Sequence, residues 1–127
     1  MPRCGFRSPV RVLIVDDHRI VRAGLIGLLS TRPEIDVVGE ASDGFEAVDL
    51  AERLEPDVVL MDVTMPRLNG IDATRLLHRK RPEIRIIGLS MHDSREIEDA
   101  MKLAGARQFI TKGGPPLAVI EAILATE

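Results

Sequence analysis

Five times along this chain a short apolar run of strand length gives way to a stretch with helical period, and this alternation confines the fold more than any other feature. The apolar runs begin near Val10, Ile35, Asp57, Ile84 and Ala106. Parallel strands need a long crossover, and a helix supplies it, so units of this kind predict a parallel sheet with helices on both faces. Val12 through Val15, Val58 through Met61 and Ile84 through Leu89 are nearly continuous in apolar residues, as strands covered on both faces must be. The run Ile35 to Ala41 is interrupted by Asp36, Gly39 and Glu40, and Gln108-Phe109-Ile110 is short; both suit sheet edges. The expected fold is α/β, a doubly wound five-stranded parallel sheet with five helices.

Helix ends are marked by residues that satisfy loose backbone groups. Asp43 with Glu46, and Asp93 with Glu96, have capping-box spacing, and Asn69 can cap a third helix. Ile97, Ala100, Met101 and Ala104 make one apolar stripe, and Gly105 follows where a helix end favours positive φ. Pro115 and Pro116 open the last helix, where a missing amide costs little. Residues 1–9, with two prolines, a glycine and no periodicity, are expected to form a flexible leader, and residues 10–127 a single domain.

Bulk properties remove several function classes. At 127 residues, with 45% hydrophobic and 29% charged, the chain fits one globular domain. A net charge of -3 gives no broad attraction for nucleic acid or anionic membrane, so no direct nucleic-acid contact is expected of this domain. Cys4 is the single cysteine, which excludes an internal disulfide and fits a reducing compartment. No run approaches the roughly 18 apolar residues of a membrane span. Arg3 and Arg7 precede no apolar stretch of the signal-peptide kind, so a cytoplasmic location is expected.

The chemistry collects at strand ends. Asp16 and Asp17 follow the first apolar run and Asp62 ends the third, and a parallel sheet brings all strand C-termini to one edge. In a sheet of order 2-1-3-4-5 the ligand crevice lies where the winding reverses, between strands 1 and 3. Three carboxylates there repel one another, and a divalent cation relieves the conflict. Oxygen ligands, few in number and with room left for water and phosphate, suit Mg²⁺. One neutralised carboxylate can then act as a nucleophile toward phosphorus. Ser90 at the end of the fourth run and Lys112 at the end of the fifth can stabilise charge on phosphoryl oxygens. Any one of these residues alone reads as a turn former, a cap or a solvated charge; their conjunction at successive strand ends does not. His18, His78 and His92 form no ligand set, and His18 is expected to be solvated at a helix start.

The segments VLIVDDH, VVLMDVTMPRLNG, IIGLSMHD and GARQFITKG resemble the receiver domain of two-component response regulators, from about residue 11 to the end of the chain. VVGEASDG, LSMHD and the DDH triplet resemble the NarL/FixJ branch, whose members typically carry a LuxR-type helix-turn-helix domain after the receiver. The resemblance implies a flavodoxin-like fold and a Mg²⁺-dependent transfer of a phosphoryl group to Asp62 from a sensor histidine kinase. It implies direct Mg²⁺ ligation by Asp17, Asp62 and the backbone carbonyl of Thr64, with Asp16 acting through a metal-bound water. Lys112 is expected to pair with Asp62 and then the phosphoryl group. Ser90 and Lys112 are expected to reach that group by moving inward, with Phe109 following Ser90. This movement remodels the face of helix 4, strand 5 and helix 5. The implied output is transcription control through a DNA-binding domain absent from this chain, with a possible homodimer on phosphorylation. Self-hydrolysis of the phosphoryl group is the one turnover expected.

Some residues depart from the family pattern. Phe109 replaces the tyrosine of many relatives, so the switch is expected to work by packing. Gln108 replaces a smaller residue, Gly113 replaces a proline after Lys112, and Met91 is expected to crowd the path of water to the phosphoryl group. A haloacid-dehalogenase phosphatase also uses an aspartyl phosphate after a strand, but needs a second aspartate where Thr64 stands. A flavodoxin needs a Ser/Thr/Gly-rich phosphate loop where this chain has Asp16 and Asp17. The chain ends at Glu127, where the last helix should end, and reads as a domain cut from a longer regulator.

Overall fold

The computed structural model describes residues 8–63, 65, 68–91 and 94–125. Five strands and five helices alternate without exception: β1 Val10–Val15, α1 Arg19–Leu29, β2 Ile35–Ala41, α2 Gly44–Leu54, β3 Val58–Asp62, α3 Gly70–Lys80, β4 Arg85–Ser90, α4 Arg95–Ala104, β5 Gln108–Thr111 and α5 Pro116–Leu124. All neighbouring strands pair in parallel, in the order β2-β1-β3-β4-β5. The polar-interrupted β2 and the short β5 are the edges. The apolar β1, β3 and β4 lie inside, where both faces must be dry.

Strand alternation divides the core in two. Leu13, Val15, Val59, Met61 and Ile86 point to a layer of α2, α3 and α4, packing on Ala47, Ala51, Ala73, Leu77 and Met101. Val12, Ile14, Val58, Leu60, Ile87 and Leu89 point the other way, onto α1 and α5 through Leu29, Val119, Ile120 and Ile123. No helix among the described residues is long and apolar enough to cross a membrane.

The element ends refine the sequence reading. Asp43 Oδ1 accepts the Glu46 amide at 2.9 Å, but the Glu46 carboxylate reaches back to the Ser42 amide at 2.8 Å, one residue beyond a capping box. Asn69 caps α3 by accepting the Asp72 amide at 2.9 Å. Asp93 lies outside the described residues, and the cap of α4 is Ser94, whose hydroxyl accepts the Ile97 amide at 3.3 Å. Gly105 has φ 127°, and the amides of Gly105 and Ala106 both return to the Met101 carbonyl. Ala106 therefore closes α4 instead of starting β5, because its amide is already committed to the helix. Residues 1–7 of the expected leader are outside the described residues, and β1 begins at Val10.

Candidate functional site

The described strand ends carry the expected acids, hydroxyl and lysine to one edge of the sheet. Asp16 and Asp17 leave β1, Asp62 closes β3, Ser90 closes β4, and Lys112 directly follows β5. Lys112 Nζ stands 2.5 Å from Asp16 Oδ2 and 3.1 Å from Asp62 Oδ1. The three side chains are 8%, 0% and 4% exposed, so this is a buried charge cluster in which an ammonium bridges two carboxylates. The Lys112 amide donates to the Ser90 carbonyl at 2.7 Å, which fixes the lysine to the end of β4. The ammonium thus stands beside Asp62, the pairing that the resemblance implies, and already lies inside the crevice. Two carboxylates this deeply buried would be costly without a cation between them, and Lys112 supplies it.

Asp16 is engaged at both oxygens. Oδ2 takes Lys112, while Oδ1 accepts the His18 amide at 2.8 Å and faces the His18 ring Nδ1 at 3.2 Å. Its backbone carbonyl accepts from Arg22 Nη1 at 2.5 Å, and Arg22 Nε bonds Glu40 at 2.7 Å, so α1 and β2 together hold the turn after β1. Asp17 is different. Its side chain is 29% exposed, yet Oδ1 is buried with no aligned hydrogen-bond donor among the described residues, and the His18 Nδ1 lies 3.2 Å away. Asp16, Asp17, His18 and Asp62 each offer a ligand atom, all within 4.8 Å of one another. A crevice of carboxylate oxygens in which Asp17 Oδ1 is left undonated among the described residues fits a small hard cation. Thr64, expected to add a carbonyl, lies outside the described residues.

Two glycines shape the site without appearing among the expected residues. Gly70 opens α3 against the end of β3: a Cβ there would stand 2.0 Å from the Asp62 carbonyl oxygen, and the Gly70 amide donates to Val63 at 2.9 Å. Only a residue lacking a side chain lets the helix sit this close to the backbone of Asp62. Gly88 lies opposite Phe109 in the β4–β5 ladder, and a Cβ there would meet Met101 Cε at 2.8 Å and Phe109 Cδ1 at 3.0 Å. The half-buried Phe109 ring thus uses the space above Gly88. Ser90, two residues on and 5% exposed, faces the same side of the sheet. Met91 follows with 62% of its surface exposed.

His18 was read from sequence as solvated. Its side chain is 61% exposed, but its Nδ1 is turned onto both acids. The adjacency of His18 to the acid pair was the available signal. Gly70 had a weaker one, an Asn-Gly pair where a helix starts.

Known proteins share this fold. A family model described as the response regulator receiver domain matches residues 12–124. The transcriptional regulatory protein DegU of Brevibacillus brevis is 38% identical over 116 residues, covering 91% of this chain and 49% of that protein. The receiver domain of the NarL regulator of Mycobacterium tuberculosis superposes with TM-score 0.87 at 33% identity, covering 93% of this chain and 95% of that one. A LuxR-family response regulator from Aurantimonas sp. SI85-9A1 gives TM-score 0.87 at 39% identity, covering 91% of this chain and 83% of that one. The chain spans about half the length of the curated relatives it matches. Receiver domains of this kind are signalling proteins and generally bind Mg²⁺ at an acidic pocket, and this chain carries a cluster of Asp16, Asp17, His18 and Asp62. Sheet order, crevice and similarity over nearly the whole length agree: the chain belongs to the response regulator receiver domains, among relatives of the NarL/LuxR type.

Proposed function

We propose that Asp62 accepts a phosphoryl group from a phosphohistidine of a sensor kinase, and that the modified domain switches an output. The observation that carries this reading is the Lys112 ammonium, 2.5 Å from Asp16 and 3.1 Å from Asp62 at the crevice edge of the sheet. Asp62 forms the new oxygen–phosphorus bond while the phosphorus–nitrogen bond breaks and the imidazole leaves with its electron pair. Lys112 neutralises charge on the phosphoryl oxygens, and the Ser90 hydroxyl donates to one of them.

Asp17 and Asp62 would hold Mg²⁺, joined by the Thr64 carbonyl, and the ion would neutralise the attacking carboxylate and the equatorial oxygens. Asp16, with both oxygens engaged by Lys112 and His18, is suited to act through water. Because Lys112 is already in place, the switch rests on Ser90 and on Phe109 above Gly88, which together reshape the α4–β5–α5 face. Transcription control through a LuxR-type DNA-binding domain outside this chain, phosphorylation-dependent pairing, slow self-hydrolysis and a cytoplasmic setting complete the proposal. The test is intact-mass measurement after incubation with acetyl phosphate and Mg²⁺. Wild type gains one phosphoryl group and Asp62→Asn gains none; equal labelling of both would overturn the assignment.

A further inference from the structure

His18 places a nitrogen where the crevice would otherwise offer only oxygens. Its Nδ1 stands 3.2 Å from Asp17 Oδ1 and 3.2 Å from Asp16 Oδ1, and lies within 4.8 Å of the Asp62 ligand atom. Two ligands at right angles, each ~2.1 Å from an ion, stand about 3.0 Å apart. The His18–Asp17 separation is therefore close to the edge of one coordination polyhedron. The His18 amide donates to Asp16 Oδ1 at 2.8 Å, which holds the backbone that carries the ring beside the acids. Asp17 Oδ1, buried and without an aligned donor among the described residues, is the oxygen such an ion would share with the ring. The 61% exposure of His18 leaves a path for an ion to enter.

Imidazole nitrogen raises affinity for borderline divalent cations such as Zn²⁺, Ni²⁺ and Co²⁺, and adds little for Mg²⁺. We infer that this crevice captures a borderline divalent cation through His18 Nδ1, Asp17 and Asp62, so that such ions compete with Mg²⁺ at the phosphoacceptor. The inference rests on the proposed Mg²⁺ site and names His18 as the residue that sets its metal preference.

The test titrates Zn²⁺ and Mg²⁺ separately into wild type, His18→Ala, His18→Gln and Asp17→Ala at one fixed pH. The ¹⁵N resonances of the histidine rings are followed in parallel. The ratio of Zn²⁺ to Mg²⁺ affinity should fall about tenfold in both His18 variants, and Zn²⁺ should move the His18 ring resonances in wild type until excess Mg²⁺ restores them. A ratio unchanged within about twofold, or a His18 ring untouched by Zn²⁺, would overturn the inference while leaving the Mg²⁺ reading intact. Zn²⁺ bound through His18 in a protein that takes up no Mg²⁺ would instead uphold the nitrogen ligand and remove the phosphoacceptor reading.

Discussion

Gly70→Ala and Gly24→Ala make the same chemical change at helix positions and should move stability in opposite directions. At Gly70 the added Cβ would stand 2.0 Å from the Asp62 oxygen and 2.8 Å from both Asp62 C and Val63 Cα. All three are backbone atoms at the end of a buried strand, so no flexible side chain can yield, and α3 or β3 must shift by more than an ångström. Overpacking of this kind costs roughly 1–3 kcal/mol or more, beyond the ~1 kcal/mol that alanine gains over glycine in a helix. At Gly24 and Gly27 of α1 nothing lies within 4 Å of the added atom, so each alanine should stabilise by roughly 0.5–1 kcal/mol. Urea unfolding followed by far-ultraviolet circular dichroism suits a chain with no Trp and no Tyr. Gly70→Ala should also lower phosphoryl labelling at Asp62, whose backbone it displaces. A Gly70→Ala protein as stable as wild type would refute the close-approach argument.

Three further outcomes are expected. Asp17→Ala should abolish Mg²⁺ binding in calorimetry, whereas Asp16→Ala should weaken it less; equal affinities in wild type and Asp17→Ala would remove Asp17 from the ligand set. Phe109→Ala should retain labelling at Asp62 but weaken the beryllofluoride-induced amide shifts across residues 94–125, at a stability cost of about 2 kcal/mol for a partly buried ring. Undiminished shifts would show that the ring does not transmit the change. The Glu52 carboxyl is held below its usual range first by the hydrogen bond from Lys80, at 2.8 Å, and then by the lysine charge. A lowered folded-state pKa gives stability that is present at neutral pH and lost as pH falls through that value. Lys80→Met should therefore raise the Glu52 pKa in an NMR titration and flatten stability against pH in the acid range.

The parts legible in the sequence are those governed by local pattern and by topology. Apolar continuity separated β1, β3 and β4 from the edges, and parallel strand ends brought Asp16, Asp62, Ser90 and Lys112 to one edge although the chain separates them widely. What depended on distance through space was not legible. Whether Lys112 starts inside the crevice is decided by the burial of Asp16 and Asp62, which no local pattern records. Gly70 looked like any glycine at a helix start until the backbone of Asp62 was found against it, and Gly88 looked like a gap in an apolar run until Phe109 filled the space. His18 is mostly solvated, as expected at a helix start, but the turn of its one ring nitrogen onto two acids was not legible, because exposure and the direction of a ring atom are independent. The caps show the same limit, since Asp93 has the capping-box spacing with Glu96 but the hydroxyl that accepts the first-turn amide of α4 is that of Ser94.

Formation of an acyl phosphate at one aspartate of this crevice can be read by trapping the bond where it forms. Borohydride reduces an aspartyl phosphate to homoserine and leaves free carboxylates unchanged, so peptide mass mapping after acetyl phosphate, Mg²⁺ and borohydride reads out the position. Homoserine is expected at residue 62 alone, absent when Mg²⁺ is chelated and strongly reduced in Lys112→Ala. Homoserine at Asp16 or Asp17, or a phosphoryl group that survives acid and escapes borohydride, would contradict it.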